Sequence, residues 1–83
     1  MMLELYYRED CPYSKKVRGF IAEKGLKSKI KFHDVDEDAA SLRDLEVMNH
    51  DEQVPCLVID GEPMLETDEI IEWLDEHSND LRQ

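Results

Sequence analysis

The 83-residue sequence contains only two cysteines, three prolines and three glycines, and it has no long hydrophobic run. Two cysteines can form at most one bridge, which excludes the disulfide-stapled frameworks of small secreted domains. The mean hydropathy of -0.63 argues against a membrane span. The N-terminus lacks a basic region and carries Glu4 near its start, so we expect no secretory signal. We therefore expect a cytoplasmic protein with reduced cysteines.

Basic residues are also scarce. The sequence has ten Lys and Arg and 21 Asp and Glu, which give a net charge of -11. Residues 1–31 hold eight basic and four acidic residues, whereas residues 32–83 hold two basic and seventeen acidic residues. An acidic surface repels phosphates, so we expect neither nucleic acid nor an anionic membrane as a partner. The histidines show no metal-ligand spacing, so we expect no metal site and place all three on the surface: His33, His50 and His77.

The length corresponds to one small domain, which can bury about 60% of the surface that its unfolded chain exposes. A hydrophobic content of 41% is ordinary for a globular domain. The sequence shows no internal repeat, no low-complexity segment and no linker. We therefore predict one monomeric domain over residues 1–83, with a polar tail from about residue 79.

Apolar spacing and turn signals predict four strands and three helices. The strands are expected at residues 2–7, 29–35, 54–59 and 62–65, and the helices at 12–24, 39–48 and from 67 onward. Gly25 is expected to follow the first helix as its C′ residue, and Thr67 to cap the last helix. Asp60-Gly61 is a strong hairpin signal, and a helix between the first two strands makes that pair parallel. The sequence thus predicts an α/β fold with the order β-α-β-α-β-β-α, a mixed four-stranded sheet flanked by three helices.

The segment Cys11-Pro12-Tyr13-Ser14 lies where the first strand gives way to the first helix. Free backbone N–H groups and the positive end of the helix dipole favour a thiolate at such a position. Ser14 either donates a hydrogen bond to this thiolate or is a solvated first-turn serine. A cysteine that is merely buried in a loop is the alternative. Cys11 is our candidate nucleophile, with positive charge nearby at Arg8, Lys15 and Lys16.

Cys11 before the first helix, Val54-Pro55 at the third strand and Glu66-Thr67-Asp68 at the last helix together resemble the thioredoxin fold in its glutaredoxin branch. The resemblance spans nearly the whole chain and implies a cis peptide at Pro55 that faces Cys11. It also implies a glutathione site, in which the Val54 backbone pairs with the cysteinyl part and Thr67 and Asp68 hold the γ-glutamyl end. Arg8 and Gln53 are implied partners of the glycine carboxylate. The implied glutathione-binding set is Arg8, Pro12, Tyr13, Gln53, Val54, Pro55, Glu66, Thr67 and Asp68.

Serine at position 14 departs from the Cys-Pro-Tyr-Cys motif of the dithiol glutaredoxins. Without a second thiol in the motif, Cys11 cannot form a local disulfide, so an external thiol must resolve any mixed disulfide. The resemblance therefore implies a monothiol, glutathione-dependent thiol–disulfide oxidoreductase that acts on glutathionylated thiols, with Cys11 and Ser14 in its active site and glutathione as cosubstrate.

Pro63 to Glu66 replace the Gly-Gly pair of glutaredoxins and are similar to the N-terminal domain of glutathione transferases. Two further functions stay open. One is a stand-alone glutathione S-transferase N-terminal-like domain. The other is a non-catalytic glutathione- or iron–sulfur-binding module, although the motif is not the Cys-Gly-Phe-Ser of cluster-carrying relatives.

Cys56 could be a second redox thiol, but alternation along its strand predicts that it points into the core.

Overall fold

The computed structural model describes residues 1–83. The predicted order of elements is confirmed, with one short 3₁₀ turn at Lys27–Lys29 added before the second strand. The strands are β1 (Leu3–Tyr7), β2 (Ile30–Asp34), β3 (Cys56–Ile59) and β4 (Glu62–Met64), and the helices are α1 (Pro12–Glu23), α2 (Ala39–Met48) and α3 (Thr67–Leu81). None of the helices combines the length and apolar character that crossing a bilayer requires.

The four strands form one mixed sheet in the order β2-β1-β3-β4. β1 pairs in parallel with β2 and antiparallel with β3, and β3 pairs antiparallel with β4. Pro63 lies on the edge strand β4 opposite Val58, where its missing N–H costs no ladder bond to a further strand. Because β1 and β3 occupy the centre, the residues that follow β1 and precede β3 meet at one end of the sheet.

Both faces of the sheet are covered, because successive side chains of the central strands point in opposite directions. Leu3, Leu5 and Leu57 pack on one face against α1 and α3, in a nine-residue cluster that includes Ile70 and Leu74. The other face carries a second cluster, which joins the sheet to α2: Tyr6, Val35, Leu45, Cys56 and Val58.

Of three predicted helix ends, one agrees with the structure and two differ. Gly25 follows α1 with φ +70, as predicted for a C′ residue. At α3, Glu66 is the N-cap and Thr67 is the first helical residue, so the predicted cap was one residue too late. The predicted tail from residue 79 was also wrong, because α3 continues to Leu81, which is half-buried and packs against the first core cluster.

The expectation that His33 is a surface residue was also wrong. Its ring stacks on Tyr6 with 4.4 Å between centroids. Nε2 lies 2.9 Å from Glu4 Oε1, and Nδ1 lies 3.1 Å from Ser41 Oγ. The Ser41 hydroxyl in turn donates its proton to Asp38 Oδ2 at 2.7 Å, so the Ser41 oxygen is left to accept a hydrogen bond from the imidazole. His33 therefore ties the start of α2 to the sheet.

Candidate active site at the start of α1

Cys11 is the N-cap residue of α1, and Pro12 takes the first helical position, where proline costs no hydrogen bond. A backbone bond from the Cys11 N–H to the Arg8 carbonyl, 3.2 Å long, closes the loop after β1. The Lys15 N–H then donates to the Cys11 carbonyl at 2.9 Å and starts the helical ladder. The thiol is half-buried and in the free form, so it stays within reach of a ligand at the edge of the sheet.

The surroundings of Cys11 stabilise the thiolate. Partial burial raises the pKa of the thiol. This effect is outweighed by hydrogen bonds from the backbone and hydroxyl of Ser14 and from the Tyr13 N–H, and by the positive charge of Arg8. The pKa of the Cys11 thiol therefore lies below the ordinary thiol value. Ser14 is fully buried, and its Oγ accepts the Arg8 N–H at 3.3 Å. Because that oxygen accepts from Arg8, its hydroxyl proton is available to Cys11. The solvated alternative for Ser14 is therefore wrong.

Replacing Ser14 with alanine should raise the pKa of the Cys11 thiol, because the thiolate loses one donor. At pH 7 the fraction of thiolate then falls, and we expect alkylation of Cys11 by iodoacetamide to slow about three- to tenfold. The rate should be followed against pH. Ser78→Ala is the matched control, since it removes another buried serine hydroxyl near the far end of α3. A Ser14→Ala profile equal to that of the control would contradict the role of this hydroxyl.

The peptide bond between Val54 and Pro55 is cis, as the resemblance implied. The Cys11 Sγ lies 3.9 Å from the Val54 carbonyl oxygen, so the thiol and the proline corner face each other across the end of the sheet. Pro55 is fully buried, whereas Val54 is half-buried and packs on the second core cluster. The Val54 backbone thus forms a wall directly opposite the candidate nucleophile.

A groove with a volume of about 440 Å³ extends from this wall to the start of α3. Six of the predicted glutathione-binding residues line it, namely Tyr13, Gln53, Val54, Glu66, Thr67 and Asp68. Two other lining residues, Lys16 and Leu65, were not predicted to bind glutathione, although Lys16 was expected to lie near the thiol. Lys16 lies one helical turn after Pro12, and its Nζ is 3.7 Å from Asp68 Oδ1 across the groove. The helical spacing of position 16 from the motif was the signal that could have found it.

The groove ends at the N-terminus of α3, whose N-cap Glu66 makes no side-chain capping bond. The first N–H groups of a helix have no intrahelical acceptor and favour an anion. Gln53 stands on the opposite side, where its Nε2 donates to the Leu65 carbonyl at 3.2 Å. A carboxylate at this end of the groove would meet unpaired donors.

Arg8, Pro12 and Pro55 do not line the groove, although all three adjoin the thiol or the proline corner. The Arg8 guanidinium pairs with the Asp36 carboxylate, and its Nη2 lies 3.7 Å from Glu52 Oε2. Arg8 therefore joins the loop before α1 to the loops on either side of α2. Its role toward a glycine carboxylate stays a prediction, since binding requires the guanidinium to exchange one of these partners.

Cys56 points into the core, as the strand alternation predicted, and it is fully buried in the second cluster. Burial raises the pKa of its thiol to about 11. It therefore stays protonated at neutral pH and is a poor nucleophile. No group of three or more His, Cys, Asp or Glu side chains is arranged to hold a metal ion.

The Cys56 thiol should make the fold less stable in alkali. Below pH 9 the thiol is protonated in both folded and unfolded chains, but between 9.0 and about 11 only the unfolded chain loses the proton. The contribution of this thiol to the free energy of unfolding should therefore fall by about 1 kcal/mol at pH 10 relative to pH 8. Urea unfolding at both pH values measures this. The buried Tyr6, whose pKa is raised to about 12, also contributes a loss of stability over this range, so Cys56→Ala should lose about 1 kcal/mol less than the parent. An equal loss in both proteins would contradict the assignment.

Similarities to known proteins identify the family of this chain. The family described as glutathione S-transferase, N-terminal domain, matches residues 5–81. The structure of the thioredoxin-like protein BC3987 is 31% identical, with a TM-score of 0.67 over 89% of this chain and 96% of that one. A diazinon-metabolizing glutathione S-transferase from the silkworm Bombyx mori is 26% identical, with a TM-score of 0.72 over 96% of this chain and 39% of that one. No curated protein matches.

A glutathione transferase Omega 3C from Trametes versicolor has a TM-score of 0.75 and 22% identity over 92% of this chain, a likeness that shows the fold alone. The chain spans 39% and 33% of the two transferases, but nearly the full length of the thioredoxin-like protein. These similarities confirm the predicted thioredoxin-like α/β fold. With the match over residues 5–81, they show that the chain belongs to the glutathione S-transferase N-terminal domain family.

Proposed function

We propose that this protein is a glutathione-dependent thiol–disulfide oxidoreductase that uses one thiol, in the manner of a monothiol glutaredoxin. The observation that carries the proposal is the placement of Cys11, half-buried at the N-cap of α1, with a lowered pKa and 3.9 Å from the Val54 carbonyl. A thiol that ionises more readily than an ordinary cysteine, next to the Val54 wall of a peptide-sized groove, is what attack on a glutathionyl disulfide requires.

Two exchange steps complete the cycle. The Cys11 thiolate attacks the glutathionyl sulfur of a mixed disulfide, the S–S bond breaks, and the partner leaves as a thiolate that takes up a proton. A glutathione thiolate then attacks the glutathionyl sulfur held on Cys11, which releases oxidised glutathione and restores the Cys11 thiolate. The substrate disulfide is reduced by two electrons, and two glutathione molecules, the one carried and the one attacking, end as the disulfide. Ser14 stabilises the thiolate at the start and end of each turnover.

The groove suits the two ends of a γ-glutamyl peptide. The Val54 backbone lies beside Cys11, where it can pair with the cysteinyl unit as an added strand would. The free N–H groups at the start of α3 can take the γ-glutamyl α-carboxylate, and the Asp68 carboxylate can take the adjacent ammonium group. Gln53 can serve the glycine carboxylate only by releasing the Leu65 carbonyl, which holds it beside the start of α3.

Treatment with oxidised glutathione followed by mass spectrometry of proteolytic fragments tests the first step. We expect one glutathionyl adduct, on the fragment that holds Cys11, and none on Cys56. Turnover is then measured with the mixed disulfide of glutathione and 2-mercaptoethanol. An internal Cys11–Cys56 disulfide, or an adduct without turnover, would reject the monothiol cycle, and the second result would favour a glutathione-binding module.

Glutathione transfer to an electrophile is the second candidate, because the family match and the silkworm transferase point to it. In that reaction the groove would hold glutathione as its thiolate, and the new bond would form between the glutathione sulfur and a carbon. Conjugation of 1-chloro-2,4-dinitrobenzene distinguishes the two. Conjugation without reduction of the mixed disulfide would favour the transferase, and the converse would favour the oxidoreductase.

A further inference from the structure

A second groove lies on the other flank of α1, between this helix and the edge strand β2. Its volume is about 420 Å³, and it shares no lining residue with the groove beside Val54. Lys15, Arg18, Gly19 and Ala22 line it from α1, at the i, i+3, i+4 and i+7 spacing of one helical face. This size is within the range of small-molecule sites.

Gly19 keeps this groove open. It sits in the interior of α1 with ordinary helical backbone, and a Cβ added there would meet no atom within 4 Å. Neither a left-handed backbone nor a close neighbour therefore requires glycine at this position, although glycine costs a helix interior about 1 kcal/mol relative to alanine. The missing side chain leaves space in the middle of the groove.

Two aromatic rings form the sheet side of the groove. Tyr7 of β1 and Phe32 of β2 meet edge to face, with 6.2 Å between centroids. Burial, with the nearby Asp34 and Glu9 carboxylates, raises the pKa of the Tyr7 hydroxyl despite Arg18, so it remains a neutral donor. The Arg18 guanidinium lies 4.5 Å from the Tyr7 ring centroid. The two rings stand nearly perpendicular, with an interplanar angle of 82°, so an added flat ring stacks on one of them and meets the other at its edge.

The remaining lining residues are cationic, in a chain whose net charge is -11. Arg18 is partly neutralised, because its Nη1 lies 3.2 Å from Glu9 Oε2. Lys15 and Lys27 line the groove and form no ion pair. An anion is repelled over most of this molecule, so a pocket with two unpaired lysines is where it would concentrate.

We propose that the groove between α1 and β2 binds a small organic anion that carries an aromatic ring. The ring lies against Tyr7 and Phe32 over the open position at Gly19, and the acid group is held by the lining lysines. This site is separate from the groove beside Val54 and does not depend on the redox function.

Titration with 1-naphthalenesulfonate, followed by ¹H–¹⁵N NMR of the full chain, tests the proposal. We expect saturable binding with a Kd of about 1 mM or tighter, and shifts centred on the amides of Gly19, Ala22 and Phe32. The uncharged 1-naphthalenesulfonamide should bind at least about tenfold more weakly, because it lacks the charge. Equal affinities, no saturation, or shifts centred on Thr67 and Asp68 would each overturn the proposal.

Gly19→Leu is the sharpest variant, since a Cβ at this position meets no atom within 4 Å and the longer side chain then extends into the groove. It should weaken binding of the sulfonate at least about tenfold and keep or raise the melting temperature, because leucine is the better helix former. Lys27→Gln should weaken binding about threefold. Glutathionylation of Cys11 by oxidised glutathione should be unchanged in both variants, which separates this site from the proposed active site. Unweakened binding by folded Gly19→Leu would overturn the assignment.

Discussion

Cys11→Ser is expected to lower turnover of the glutathione mixed disulfide by about 10³-fold or more, because no other group in the protein can form the intermediate. The hydroxyl of serine is not ionised under conditions where the Cys11 thiolate is populated, and it cannot exchange with a disulfide. Serine is close in size to cysteine, so the fold and the groove should remain. Initial rates of oxidised glutathione formation, measured with saturating glutathione, give the comparison.

Cys56→Ala provides the matched control for this experiment, since it removes the only other sulfhydryl in the chain. Its turnover should stay within about twofold of the parent, because a buried thiol that is protonated at neutral pH takes no part in exchange. The reverse pattern, with activity kept in Cys11→Ser and lost in Cys56→Ala, would show that the wrong thiol has been assigned. Loss in both variants would indicate a two-thiol cycle.

Much of the site could be predicted because its parts are local in sequence. A cysteine before a helix, a proline at the start of a strand and an acidic helix start each carry their own signal. Their convergence follows from the sheet order, since β1 and β3 are adjacent and bring the residues after β1 beside those before β3. The resemblance added the cis peptide at Pro55. Composition and spacing alone contain no such information.

The parts that sequence reasoning missed depend on contacts between distant segments. His33 was placed on the surface because nothing near it in the sequence shows that Glu4 and Ser41 approach from two other elements. Arg8 was assigned to a ligand, yet it pairs with Asp36 from the loop before α2. The end of α3 was missed because its last turn is polar except for Leu81, whose burial depends on the first core cluster.

The Arg8 ion pair has a consequence for binding. A free arginine beside the groove would attract a carboxylate without competition, whereas Arg8 already contacts Asp36 and Glu52. These carboxylates hold the guanidinium near Cys11, where its charge helps to lower the pKa of the thiol. The same residue can therefore serve the nucleophile directly while its contribution to ligand affinity is reduced by the partners it would have to leave.

Leu45→Ala should have the largest effect on stability, with a loss of about 2–5 kcal/mol in the free energy of unfolding. Leu45 is fully buried in the second core cluster, which joins α2 to the sheet. Deleting its side chain removes apolar burial and leaves a cavity in a domain whose total stability is only of order 4–12 kcal/mol. Urea unfolding at pH 7 measures the change.

Val47 is the matched control, because it lies on the same helix and is 80% exposed. Val47→Ala should change the free energy of unfolding by less than about 0.5 kcal/mol, since no packing is lost and alanine favours a helix. The half-buried Val54 packs on the same cluster as Leu45, so folded Leu45→Ala should also form the Cys11–glutathione adduct more slowly. Equal stabilities of the two variants would contradict the packing role of Leu45, and an unchanged rate of adduct formation in folded Leu45→Ala would show that the cluster does not support this wall of the active site.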